Sequence, residues 1–426
     1  MLDLKRVRFE AEAVKEQLAK RGDDGTAASV DEVLNLDGER REIIQRVEQL
    51  KAQRNEASKE IAVLKKAGRD AEPLIREMRE VSDQIDELDR RLASSEDRIE
   101  KLLLEIPNTP FAAVPAGDES ANREVRAWGA PIEAAPWRKA HWDLGAALGI
   151  LDLERGARLS GSGFPVDIGQ GAGLQRALIN FMLDVHRREH GYVEVQPPYL
   201  VRSETMLGTG QLPKLADDAY RIDSDELWLI PTAEVPLTNL HGGEMLSAED
   251  LPRHYVAYTP CFRREAGAAG RDTRGILRVH QFDKVELVRV ERPEDSEAAL
   301  EELTGQAERI LQRLGLAYRV ILLAAGDIAQ SSAMTYDLEV WSPGVERWLE
   351  VSSCSNCTDY QARRADIRFR RERGGKPEFV HTLNGSGLAL PRTMIALLEN
   401  YQREDGSVEL PEALHPYMGC TRIEPA

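Results

Sequence analysis

The sequence predicts an α+β protein: an antiparallel α-helical coiled-coil hairpin near the N-terminus, then a domain built on an antiparallel sheet with flanking helices. Three observations predict this. Apolar residues recur at heptad spacing over two stretches of similar length, separated only by Ala67-Gly68-Arg69-Asp70. Beyond residue 110, short strand-like segments alternate with single amphipathic helices. Between them, residues 259–286 read as two strands, 261–264 and 276–288, joined by a long connection with Gly267, Gly270, Gly275, Arg271 and Arg274.

The totals set limits. A chain of 426 residues holds two domains or more, and 42% apolar with 30% charged residues fits a soluble protein with a charged, extended part. A net charge of −17 opposes attraction of nucleic acid by the whole surface, so any RNA contact must be local. Four cysteines make no disulfide framework, which suits a reducing, cytoplasmic setting. The start, MLDLKRVRFE, is charged throughout and is no secretory signal, and no apolar run of about 18 residues predicts a membrane span.

Taken in order, residues 1–30 form an amphipathic lead-in, with Leu4, Val7, Val14 and Leu18 at helical spacing and an end near Gly22 and Gly25. The arm occupies about 31–106. Leu36, Ile43, Val47, Leu50, Ala57, Ile61 and Leu64 mark its first seam, with Arg54 at one apolar place; Leu74, Met78, Val81, Ile85, Leu88, Leu92, Ser95, Ile99, Leu102 and Ile106 mark the second. Two such helices bury their stripes only by lying antiparallel, giving an arm of about 45–55 Å. Residues 39–66 hold eight basic and five acidic side chains, net +3; residues 70–106 hold six and twelve, net −6. Basic charge therefore gathers on the first helix and the tip, where an RNA backbone could dock, although a solvated coiled coil explains the same charges.

Ile106-Pro107-Asn108-Thr109-Pro110 ends the arm and sets a boundary between domains 1–110 and 111–426. Residues 111–165 show little chemistry. Leu174, Leu178, Phe181, Met182 and Val185 mark a helix whose apolar face suits either a core or a subunit interface, followed by a strand at 192–200. Thr232-Ala233-Glu234 lies between Pro231 and Pro236 and offers a hydroxyl and a carboxylate for an ammonium.

Alternation on the central pair places Arg263 and Glu265 together, and Arg278, His280, Phe282 and Glu286 on one parity. Guanidinium forks grip phosphates, an aromatic plane covers a purine, and a carboxylate accepts from an exocyclic amine. A solvated edge hairpin has the same pattern. Residues 294–314 form a helix, and 336–340 pairs with 348–352. Glu350 and Ser353, flanking Val351 and Ser352, offer hard oxygens suited to Mg2+. Cys354 and Cys357 have zinc-like spacing, but no second pair follows, so no zinc is expected. Ser386 and Arg392 precede a helix at 393–401 entered through Pro391.

The wording goes beyond pattern. FRREAGAAGRDTRGILRVHQFDKVE, QRALINFMLDVHRREHGYVEVQPPYL and NGSGLALPRTMIALLENYQ resemble the three signatures of class II aminoacyl-tRNA synthetases. TAE, EVSSCSN followed by DYQARR, and the N-terminal hairpin are similar to seryl-tRNA synthetases, so the likeness covers nearly the whole chain. It implies a class II core that activates L-serine with ATP and transfers it to tRNA(Ser), with tRNA(Sec) as a further acceptor, in a cytoplasmic homodimer. It also implies roles. Arg263, Glu286 and Arg392 are the catalytic set. ATP falls to Arg263, Arg264, Glu265, Arg278, Val279, Phe282, Glu350, Val351, Ser352, Ser353 and Arg392. Serine falls to Thr232, Ala233, Glu234, Glu286 and Ser386, and Mg2+ to Glu350 and Ser353. An amino-acid:carrier-protein ligase of the same core should lack the arm, a noncatalytic RNA-binding relative should have lost the arginines, and a coiled-coil scaffold explains residues 31–106 only.

Overall fold

The computed structural model describes residues 1–23, 25–133, 135–266 and 273–425. Gly267, Gly270 and Arg271 of the predicted connection lie outside these. The chain forms two compact units: Leu2–Ala19 with Asp23–Ile106, and Met1, Lys20–Gly22 and Pro107–Ala426.

The first unit comprises α1 (Leu4–Phe9), α2 (Ala11–Ala19), α3 (Gly25–Lys66) and α4 (Glu72–Glu105). The predicted break at Gly25 is instead the first residue of α3, whose 42 residues span about 63 Å, longer than the sequence suggested. Packing is the reason. Val30 and Val33 of α3 are fully buried, as are Val7 of α1 and Val14 of α2, so burial carries the helix on through Gly38 despite its poor propensity. Asp37, 1% exposed, accepts Arg8 Nε and Nη2 at 2.7 and 2.8 Å and stands within 3.5 Å of Arg40 and Arg41. Farther out, Ile43, Val47, Leu50 and Ala57 of α3 meet Met78, Val81 and Ile85 of α4 as the heptad predicts. The helix breaks at the expected place, where Gly68 takes φ +66°.

In the second unit the strands of the main sheet are β1 (Arg123–Trp128), β2 (Val193–Glu194), β3 (Arg253–Phe262), β4 (Gln281–Glu291), β5 (Tyr318–Leu322), β6 (Met334–Ser342), β7 (Arg347–Asn356) and β8 (His381–Ala389). They form one sheet in the order β1-β5-β6-β7-β8-β4-β3-β2, antiparallel except for the β2–β3 edge. The helices that position the site are α5 (His141–Ala147), α6 (Gln170–Arg188), α7 (Glu234–Thr238), α8 (Ser296–Arg313), α9 (Tyr360–Ala365) and α10 (Leu390–Tyr401). Leu174, Leu178 and Met182 of α6 are fully buried, so its apolar face is core within this single chain.

Several boundaries differ from expectation. The central pair is Arg253–Phe262 with Gln281–Glu291, so residues 276–280 are irregular rather than strand. The strand expected over 192–200 divides into Val193–Glu194 and Leu200–Arg202, because Pro197 and Pro198 have no N–H for a ladder. Among the described residues no helix is long and apolar enough to cross a membrane.

Candidate active site

The β4–β8 and β7–β8 pairs form the middle of the sheet, and a cavity of about 530 Å³ opens beside them. Thirteen predicted residues line it: Thr232, Glu234, Arg263, Glu265, Arg278, Val279, Phe282, Glu286, Glu350, Val351, Ser353, Ser386 and Arg392. Three do not. Ala233 packs with Leu237, Ala257 and Val288; the Ser352 hydroxyl donates to the Ser386 carbonyl at 2.7 Å; Arg264 holds its place through its backbone N–H, which donates to the Asp218 carbonyl at 2.8 Å.

Two irregularities in the ladder explain how strand residues of opposite parity meet. Glu350 and Ser353 are an odd number apart and should face opposite sides of β7. In the β6–β7 register Leu338 faces Ser352 and Glu339 faces Glu350, so Val351 is an extra residue that turns both side chains to the cavity. A second bulge, at Gly387 of β8, leaves Glu286 opposite Ser386.

Charges in the cavity are mostly paired. Arg278 Nη1 meets Glu265 Oε2 at 3.2 Å, and Arg392 Nη1 donates to the Glu350 carbonyl at 2.8 Å and to its carboxylate at 3.1 Å. Lys284 Nζ is in contact with the Glu286 carboxylate, both nearly buried. Arg263 lies over the Phe282 ring, 5.2 Å from its centre. Glu265 takes φ +51°, so simple alternation fails there and its carboxylate is re-aimed toward Arg278.

Burial, with the Glu286 carboxylate nearby, pushes the Glu234 carboxyl up to about 7, against the Gln361 amide that donates to it at 2.7 Å. Burial and the neighbouring Glu350 likewise push Asp337 well above the usual carboxylate range. Glu350 and Ser353 together present a carboxylate and a hydroxyl, hard donors of the kind Mg2+ takes while keeping waters and phosphate oxygens. Burial pushes the Cys354 and Cys357 thiols up to about 12, away from the thiolate form that zinc needs.

Sequence reasoning missed Lys284 and Asn384, both in the cavity wall. Each had a signal: Lys284 shares the parity of Phe282 and Glu286 on β4, and Asn384 stands two residues before Ser386 on β8.

The comparisons with known proteins agree along the whole chain. Residues 1–110 match the model described as "Seryl-tRNA synthetase N-terminal domain", and 219–401 match "tRNA synthetase class II core domain (G, H, P, S and T)". The serine–tRNA ligase of Geobacillus thermodenitrificans is 58% identical over 98% of this chain and 99% of its own, and that of Carboxydothermus hydrogenoformans is 55% identical over 99% of each. The crystal structure of seryl-tRNA synthetase from Pyrococcus horikoshii complexed with ATP superposes with a TM-score of 0.96 at 39% identity, covering all of both chains. A cytoplasmic serine–tRNA ligase from Naegleria fowleri in complex with AMP gives 0.90 at 30% identity, covering all of this chain and 99% of its own. With a full-length match at this identity, a two-part family match and a cavity of the expected residues, the chain belongs to the seryl-tRNA synthetase family of class II aminoacyl-tRNA synthetases.

Proposed function

We propose that this serine–tRNA ligase works through the cavity around Arg263, Phe282 and Arg392, in two steps. A serine carboxylate oxygen attacks the α-phosphorus of ATP, forming seryl-adenylate and expelling pyrophosphate. A ribose hydroxyl at the tRNA 3′ end then attacks the seryl carbonyl and AMP leaves. The observation that carries this reading is the convergence of Arg263, Arg278, Lys284 and Arg392 on one cavity beside Phe282, with acids and hydroxyls adjoining.

Serine binding falls to Thr232, Glu234, Glu286 and Ser386, the carboxylates taking its ammonium and the hydroxyls ranking its side chain. Arg263 holds the α-phosphate and the serine carboxylate, Phe282 and Arg392 enclose the purine, Glu265 accepts from its amine, and Val279 meets it through the backbone. Arg278 takes the triphosphate tail. Glu350 and Ser353 would hold Mg2+, which supplies charge neutralisation on the phosphates. A carboxylate nucleophile is already ionised at neutral pH, so no general base is needed and the chain's share is alignment and charge.

The same reading gives residues 1–110 to tRNA and 111–426 to catalysis, with a cytoplasmic homodimer, and extends the acceptors from tRNA(Ser) to tRNA(Sec). Lys59, Lys65, Lys66 and Arg69 at the hairpin end supply the phosphate contacts. The test is serine-dependent ATP–pyrophosphate exchange beside tRNA charging. Glu286→Ala should lose exchange far more than it loses fold, although it strands the buried Lys284 ammonium. Reversing the four tip charges to Glu should leave exchange unchanged and cut charging at least about tenfold at 150 mM salt. Near wild-type exchange in Glu286→Ala refutes the site, and unaltered charging by the tip variant refutes the arm.

A further inference from the structure

One buried polar constellation has no part in the roles above. Glu399 of α10 is fully buried and its carboxylate accepts five hydrogen bonds: His141 N and Nδ1 at 2.9 Å each, Gly344 N at 2.9 Å, Val345 N at 3.2 Å, and the Ser342 hydroxyl. His141, the first residue of α5, is fully buried too. Its other ring nitrogen, Nε2, accepts the N–H of Ile276 at 3.2 Å. Since Nε2 accepts, the ring proton is on Nδ1, and one neutral tautomer satisfies both bonds.

Ile276 is on the irregular limb that returns to β4, and its neighbours rest on His141 and the adjacent Trp142. Gly275 takes φ +63°, and a Cβ there would come 2.1 Å from His141 Nε2 and 3.0 Å from the Trp142 ring. The Arg274 guanidinium stands 4.4 Å above the Trp142 ring centre. Two and three residues beyond Ile276, Arg278 and Val279 enter the cavity. Seven residues before Glu399, at the start of the same helix, is Arg392.

We propose that His141 is a positioning residue for nucleotide binding: it joins the Glu399 carboxylate of α10 to the Ile276 N–H, setting the limb that presents Arg278 and Val279 in register with the helix that presents Arg392. This rests on reading the cavity as the ATP site. A side chain that only filled the core would need no acceptor aimed at a main-chain N–H, nor a glycine facing it.

His141→Asn separates the two bonds. The shorter amide keeps a donor near the Nδ1 position for Glu399 but does not reach Ile276. The variant should fold with a somewhat lowered melting temperature, since it strands a buried N–H, and in serine-dependent pyrophosphate exchange its KM for ATP should rise about tenfold while KM for serine stays within about twofold. An unchanged KM for ATP in the folded variant overturns the inference, as does an equal rise in both KM values. Should His141→Asn fail to fold, Gly275→Ala, whose Cβ would crowd His141 Nε2 and displace the limb while the Gly344, Val345 and Ser342 bonds to Glu399 remain, is judged by the same two outcomes. Wild-type protein without serine-dependent exchange sinks the reading of the cavity and this inference with it; active wild type beside an unaltered variant sinks the inference alone.

Discussion

Glu234→Gln separates what the cavity does for stability from what it does for function. The Thr382 hydroxyl donates to Gln361 Oε1 at 2.7 Å, which fixes the Gln361 amide so that Nε2 donates to Glu234 at 2.7 Å and to the Thr209 carbonyl at 3.1 Å. A glutamine at 234 can offer its own amide oxygen to the same donor, so the substitution removes a charge and keeps a bond. A carboxyl held at about 7 instead of 4.5 destabilises the folded protein by about 3 kcal/mol once ionised, at 1.36 kcal/mol per tenfold. The sign follows from the upward shift: the folded state binds this proton more tightly, so the contribution is intact below the unfolded value and is lost as pH rises through the folded one. Calorimetric melts at pH 5 and pH 8 should show the variant more stable at pH 8 by up to about 3 kcal/mol, the gap closing to about 1 kcal/mol or less at pH 5. Serine KM should rise about tenfold or more in the same protein, because a charged acceptor for an ammonium has gone. A variant less stable than wild type at pH 8, or a gap that does not change with pH, refutes the argument.

Asp37→Asn removes the carboxylate shared by Arg8, Arg40 and Arg41; with Arg40 still paired to Glu96 and Arg41 exposed, it should lower the stability of the N-terminal unit at pH 7 by about 2 kcal/mol, read from helix melting by circular dichroism. Burial alone would raise the Asp37 carboxyl, but Arg8, Arg40 and Arg41 together hold it below the usual range. Its contribution is therefore present above the unfolded carboxyl value and is lost as pH falls through the lowered folded one, and a difference between variant and wild type that does not shrink as pH is lowered sinks the assignment. Thiol labelling of the folded protein at pH 8 should modify Cys420 alone, since Cys261, Cys354 and Cys357 are buried with thiols pushed up; fast labelling of a second cysteine contradicts this.

What the sequence made readable was whatever depends on local period or on motif wording. The heptads of α3 and α4 required only near neighbours, and Phe282 and Glu286 share the parity of one strand. The failures came where distant residues decide. The helix start at Gly25 depends on α1 and α2 covering Val30 and Val33. Glu350 and Ser353 meet only because of a bulge at Val351, and nothing in EVSSCSN announces one. His141 sits in a stretch with no period, and its partners are 135 and 258 residues away in sequence.

The pairing of charges in the cavity bears on how it is built to receive a polyanion. Arg278, Lys284 and Arg392 each have a carboxylate within ion-pair distance, Glu265, Glu286 and Glu350 respectively. Among the described residues no carboxylate lies that close to Arg263, whose guanidinium instead rests over Phe282 and whose Nε donates to the Pro231 carbonyl at 3.4 Å. A cation already tied to a carboxylate is held in place, but a phosphate must compete for it, so part of its attraction is offset. An arginine held by a ring face and a neutral carbonyl keeps its charge available. On the reading proposed above, Arg263 would therefore be the group best suited to the phosphorus where negative charge grows in the transition state, while the three paired cations would act chiefly to orient what arrives.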